Sequence, residues 1–266
     1  MIQSIGSNMK NESLQKHFVS MGARVKFQPN EEGTRWRAAP PSDSFTIDIK
    51  HDRRGEYFEI RQGEEAPELE LLQAKPKERH LLLYARDGGR FLCGHDERHW
   101  FVAGIAGAVS TVRAAKQSLL PNAIWEQVKN LSPGEVDKRR NGVFKRQGEW
   151  FFVPTDRKIP DKFILRNEPL QRTSRSKPHI CQELYREGGD MVYIVGGKEL
   201  SEEEYSKRKK NDPTFDKGRL RTMLRNPNVF VRGYVRHEDH ATIRLENWHR
   251  VFINAEFTTS AVSFLD

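Results

Sequence analysis

Cysteine is nearly missing from this chain. Cys93 and Cys181 are the only two, and neither has a Cys-x-x-Cys partner, which excludes a disulfide scaffold and suits a reducing compartment. No apolar run approaches the roughly 20 residues that span a bilayer, so no membrane partner is expected. The opening MIQSIGSNMKNESLQKHF has no apolar stretch of signal-peptide type, and the expected location is therefore cytoplasmic. Gly-x-Gly-x-x-Gly, Walker, Gly-x-Ser-x-Gly and kinase motifs are absent. GGKEL, after VYIV, lacks the length and the Lys-Ser/Thr ending of a phosphate loop. Nucleotide-dependent catalysis is disfavoured and no organic cofactor is expected; a divalent metal is the one group for which donors exist.

What is present is aromatic bulk and charge. The 266 residues include 15 Phe and 5 Trp, enough for a substantial core in one large domain or two modest ones. The net charge of +8 is unevenly spread: residues 1–100 hold 16 basic and 16 acidic side chains, residues 101–266 hold 29 and 21. The division expected from this is a neutral N-terminal half, 1–130, and a basic C-terminal half, 131–266, with the polar stretch LSPGEVDKRRNG at the boundary. Arg outnumbers Lys by 27 to 18, and a guanidinium fork suits bidentate phosphate contact.

Hydrophobic periodicity predicts α+β architecture, with antiparallel hairpin and meander sheets and a few short helices. Leu14, Phe18 and Met21 fall on one face of a helix over 11–22. HLLLYA and RFLCG flank RDGG, a hairpin signal, and VFKRQGEWFFVPT reads as a hairpin over QGE. ICQELY and DMVYIVGG flank REGG and read as another. Pro121 splits a helical region at 110–130, and Thr155–Pro178 reads as a long surface loop. Ser201 with Glu204 forms a capping box opening a helix. A second helix is expected over 214–225, and three closing strands are expected in VFVRGYV, ATIRL and HRVFINAEF.

Two polar clusters interrupt these runs. In FLCGHDERHWF, His95 and His99 stand four apart, but Asp96 occupies the position where a zinc protease motif has its glutamate. The flanks are strand-like, so a hairpin tip is expected. His95 and His99 remain candidate metal ligands, with Cys93 as a further donor on the same strand face. In VRHEDHATI, His237, Glu238, Asp239 and His240 again suggest a turn. His237, Asp239 and His240 are the candidate catalytic residues: His240-Ala241-Thr242 matches one half of a paired His-x-Thr phosphoesterase pattern, and Asp239-His240 resembles the start of a metal nuclease motif. The rest of that motif needs an Asn and a His on a helix, and Asn247, His249 and Asn254 lie in strand-like sequence.

Arg139, Arg140, Lys145 and Arg146 surround a hairpin rich in aromatics, and Arg221 with Arg225 would form a basic stripe on the second helix. Cations interleaved with rings point to nucleic acid. The leading expectation is a protein that contacts DNA or RNA phosphates through its C-terminal half. The alternatives are a phosphodiesterase or nuclease using the His/Asp cluster, or a basic adaptor for an acidic protein.

Overall fold

The computed structural model describes residues 2–30, 40–86, 89–172, 176–217 and 220–257, with the side chains of 2–10 excepted. In chain order the elements are α1 (Ile2–Ser20), β1 (Val25–Pro29), β2 (Phe45–Asp52), β3 (Gly55–Gln62), β4 (Leu69–Lys75), β5 (His80–Ala85), β6 (Gly89–Asp96) and β7 (His99–Ile105). Three helices follow: α2 (Val112–Ser118), α3 (Asn122–Val128) and α4 (Pro133–Val136). The remainder is β8 (Lys145–Gln147), β9 (Trp150–Pro154), β10 (Leu165–Leu170), β11 (His179–Glu187), β12 (Asp190–Val195), β13 (Lys198–Ser201), α5 (Glu202–Asn211), β14 (Leu220–Arg225), β15 (Asn228–Arg236) and β16 (Ile243–Ile253). Strand accounts for 47 % and helix for 19 % of the structure described, which makes this α+β with several mostly antiparallel sheets.

Among the described residues four sheets form, ordered β1-β3-β2, β4-β5-β6-β7, β10-β11-β15-β16-β9-β8 and β13-β12-β14. The first two share a core with α1: Leu14, Phe18 and Met21 are buried there, and Phe18 packs on Phe58 at 4.9 Å between ring centroids. The helical spacing of those three residues is therefore the spacing of a face turned to the core. Three leucines run consecutively in HLLLYA because β5 is covered on both sides. Leu81 and Leu83 enter the α1 core, while Leu82 meets α2 through a second cluster.

The helices between the halves are divided between them. Val112 and Ala115 of α2 pack with β5–β7, whereas Ile124 and Val128 of α3 pack with Val136, Phe144 and Phe151. The chain after β16 returns to the N-terminal half, where the Phe257 amide donates to the Gly104 carbonyl at 2.9 Å and Gly104 N donates to Glu256 Oε1 at 3.3 Å. This clasp sets β7 beside the six-stranded sheet, and the cleft described below opens between them.

Several local expectations change. ICQELY and DMVYIV are not a hairpin: β11 pairs with β10 and β15, and β12 pairs with β13 and β14. Gly188 and Gly189, both at positive φ, carry the chain from one sheet to another, a path a tight hairpin signal cannot be told from. The helix expected through 214–225 is instead β14 at its C-terminal end, because pairing with β12 captures Leu220–Arg225 and a weak helical pattern yields to cross-strand bonds. ATIRL and HRVFI are one long strand, β16. The Thr155–Pro178 loop contains β10, and its residues 173–175 lie outside the described set, as do Asp87 and Gly88 of the RDGG turn and 31–39 of the early loop. The capping box at Ser201 and Glu204 forms with both reciprocal bonds.

Candidate metal centre

His179 is the first residue of β11 and is fully buried. Neither of its ring nitrogens has a hydrogen-bond partner. The ring of His237 stacks on it at 4.1 Å between centroids, and that of His240 lies at 5.7 Å. His237 and His240 come from the turn joining β15 to β16, which brings residues 58 and 61 positions downstream onto the start of β11. One nitrogen from each of the three rings lies within 4.8 Å of the others. Three imidazoles at such range could hold a metal ion, and three histidines are a donor set known from open, three-ligand sites.

The surroundings of His179 favour a neutral ring. Burial, together with the neighbouring His237 and His240, pushes the His179 pKa down to about 2. Glu97 Oε2 lies 3.2 Å from His240 Nδ1 and also accepts the Ala241 amide at 3.3 Å. A carboxylate only accepts, so Nδ1 carries the hydrogen and Nε2 faces away as a ligand atom. The His237 Nδ1 accepts the Asp239 amide at 3.1 Å, which sets the angle of that ring.

Gly148, at the turn between β8 and β9, completes the cradle. Its φ is +56°, and a Cβ there would stand 2.9 Å from His240 Nε2 and 3.4 Å from His179 Nε2. Both Nε2 atoms thus look into the space that a side chain at 148 would fill. Glycine is needed here twice over, for the left-handed backbone and for the vacancy before the imidazoles.

His237, His240 and Gly148 line a cleft of about 580 Å³, with His179 beneath it. The opposite wall comes from the N-terminal half. There His99 Nδ1 donates to Glu56 Oε1 at 2.6 Å, and Glu56 Oε2 accepts the Trp100 amide at 2.9 Å. His99 Nε2 lies 3.9 Å from Asp239 Oδ1. Lys177 donates to both oxygens of Asp239, at 3.0 and 2.8 Å. Burial alone would raise the Asp239 pKa, but that lysine and the adjacent His99 and His237 hold it below the usual carboxylate range. Four lysines or arginines and five carboxylates line the cleft.

The residues expected from sequence therefore separate. His237 and His240 join the cluster, with His179 as the third member, and Asp239 lies beside it rather than within it. His95 and His99 do not form a metal site among the described residues. His95 packs edge-on against Trp100 at 4.9 Å, and burial with the nearby Arg79 lowers its pKa. Cys93 is buried in the α1 core, where desolvation holds its thiol protonated, so it donates to no metal. Asn247 and His249 lie on β16 rather than on a helix.

The basic residues are largely engaged. Arg139 pairs with Asp96 and Glu97, and Arg146 donates to Asp96 Oδ2 at 2.9 Å and to the Gly148 carbonyl at 2.8 Å. Lys145 donates to the Arg244 carbonyl at 2.9 Å, and Arg225 pairs with Glu199. Arg140 and Arg221 are exposed, the latter on β14. His179 carried no sequence signal of its own: HICQELY reads as a strand, and a single histidine opening it does not announce a ligand. No family model, curated protein or solved structure matches this chain. Among the described residues no helix is long and apolar enough to cross a membrane.

Proposed function

We propose that the protein is a metal-dependent hydrolase of phosphodiesters, with His179, His237 and His240 holding one divalent ion. The observation that carries this reading is the buried His179 ring, whose two nitrogens lack hydrogen bonds, stacked against two further imidazoles at the floor of a cleft. A buried polar group without a partner costs about 1–3 kcal/mol, a cost that ligation would offset. Three ligands, two of them lining a cleft, leave a coordination position for water or substrate, as hydrolytic sites require and closed structural sites do not. The bound ion supplies Lewis-acid polarisation of a phosphoryl oxygen and a water made more acidic.

Charge supports the substrate class. Histidines aside, the lining residues sum to one net negative charge, and a divalent ion would make the cleft positive. A positive cleft suits an anionic ester such as the phosphodiester unit of a nucleic acid. The basic excess of residues 101–266 would draw such a chain toward the cleft.

The test is to remove metal with a chelator, reload separately with zinc, manganese or cobalt, and measure metal content and cleavage of DNA, RNA and a nitrophenyl diester. One equivalent of retained ion with metal-dependent cleavage is expected. Protein that takes up no ion, or takes one up and cleaves none of these esters, would overturn the reading. A second reading, nucleic-acid binding without chemistry, rests on the same charge excess. It predicts affinity that falls linearly in log salt even for metal-free protein, measured by fluorescence anisotropy.

A further inference from the structure

We infer that His99, oriented by Glu56, is the group that delivers the proton to the departing oxygen in this reaction. The inference rests on the hydrolase reading above and adds a catalytic residue from the other half of the chain. Hydrolysis of a dialkyl phosphate needs more than an activated water. As the water oxygen bonds to phosphorus and gives up a proton, the opposite phosphorus–oxygen bond breaks and its electron pair moves onto an alkoxide. An alkoxide is a poor leaving group unless a proton reaches it in the transition state. The water's proton then returns through solvent to the donor, so the donor ends as it began.

The cleft contains four imidazoles, on His51, His99, His237 and His240. Two of these belong to the metal-holding cluster. Of the other two, His99 is the one with a carboxylate on its inner nitrogen, the 2.6 Å bond from Nδ1 to Glu56. Glu56 is itself fixed, because its second oxygen accepts the Trp100 amide. A carboxylate so anchored sets the ring plane and aims the outer nitrogen.

The outer nitrogen is available. His99 Nε2 stands 3.9 Å from Asp239 Oδ1, too far for a hydrogen bond, and the side chain is 41 % exposed. Asp239 is committed elsewhere, since Lys177 donates to both of its oxygens. It closes the cleft opposite His99 and lies one residue before His240, so its position ties His99 to the metal-holding turn. A hairpin-tip histidine that merely pinned β7 to β3 would duplicate what the Glu56–Trp100 amide bond already does.

The experiment uses the full metal-loaded chain and two substrates that differ in their need for a proton. One is the p-nitrophenyl ester of thymidylate, whose nitrophenolate departs unaided. The other is a thymidine dinucleotide, whose leaving alkoxide must be protonated. His99→Gln is expected to keep its metal and to hydrolyse the nitrophenyl ester within a few-fold of the parent. Cleavage of the dinucleotide should fall about 10²–10⁴-fold, and added imidazole should restore part of it in His99→Ala. Glu56→Gln, which spoils only the orientation, should show the same selectivity at smaller amplitude. Equal losses on both substrates with metal retained would overturn the inference, as would loss of metal from His99→Gln. If the parent protein binds no metal or cleaves neither ester, the hydrolase reading fails instead, and the two failures are distinct.

Discussion

At the tip of the β6–β7 hairpin, His95 lies against Trp100 and His99 against Glu56. At the β15–β16 turn, His237 and His240 meet a third imidazole, His179. The two stretches have nearly the same composition, a pair of histidines with Asp, Glu and Arg between or beside them. Their difference lies in what the rest of the chain delivers to each. At His99 a carboxylate fixes one ring nitrogen and leaves the other facing the cleft. A buried imidazole packed against two others, as His179 is, resists protonation, which suits a metal. The hairpin also serves the turn, since Glu97, between His95 and His99, is the carboxylate that orients His240.

The largest test of this contrast is His179→Leu. Metal should be lost entirely, while the metal-free protein should be as stable as the parent or more so, because the change removes a buried ring with two unbonded nitrogens. Metal analysis and urea unfolding report the two effects, with His95→Ala as a control that keeps its metal. A loss of several kcal/mol in the metal-free state would mean that His179 is a structural residue. Next is Glu97→Gln, which leaves the three ligands in place but weakens the partner of His240. Metal affinity should drop about 10–100-fold, read by competition with a chromophoric chelator. An unchanged affinity would detach the hairpin from the metal site.

Gly148→Ala should cost about 1–2 kcal/mol from its left-handed backbone. It should also weaken metal binding, because the added methyl stands 2.9 Å from His240 Nε2. Thermal melts with and without metal separate the two, and full retention of affinity would contradict the cradle.

The smallest effect probes the other kind of polar contact, one that serves stability alone. Asp52 of β2 accepts from Arg24 at 2.8 and 2.6 Å and from Lys26 at 3.0 Å. These cations, Arg24 foremost, hold its carboxyl well below the usual range. A carboxylate depressed in the folded state stabilises above its unfolded pKa of about 3.9, and the benefit fades as pH falls below that value. The stability gap between parent and Asp52→Asn should therefore be present at about pH 7 and shrink from about pH 4 downward, with metal binding unaffected throughout. A gap that does not change with pH would place the contribution of Asp52 elsewhere.

Much of the fold was legible because its determinants are local. Leu14, Phe18 and Met21 declare a helix face by spacing, and Ser201 with Glu204 declares a helix start by reciprocal bonds. Gln147–Trp150 and Asp96–His99 close two-residue turns where polar residues interrupt strand-like runs. The failures were non-local. REGG looks like a hairpin turn whichever strands its neighbours join, and Leu220–Arg225 became a strand because β12 was there to pair with it.

The candidate site divides along the same line. By itself the sequence determined that two turns would carry paired histidines, that strands would flank them, and that charge would collect in the C-terminal part. Those properties follow from residue type and short-range periodicity, which act within a few positions of the chain. Only the tertiary structure decided that His179, one histidine at the start of an ordinary strand, lies against His237 and His240 while His95 does not. It also turned Arg139, Arg146 and Arg225, half of the basic residues expected to contact phosphate, into partners of Asp96, Glu97 and Glu199. Contacts across a sheet and between two halves of a chain are set by register and packing, and neither is written in the spacing of the residues that meet.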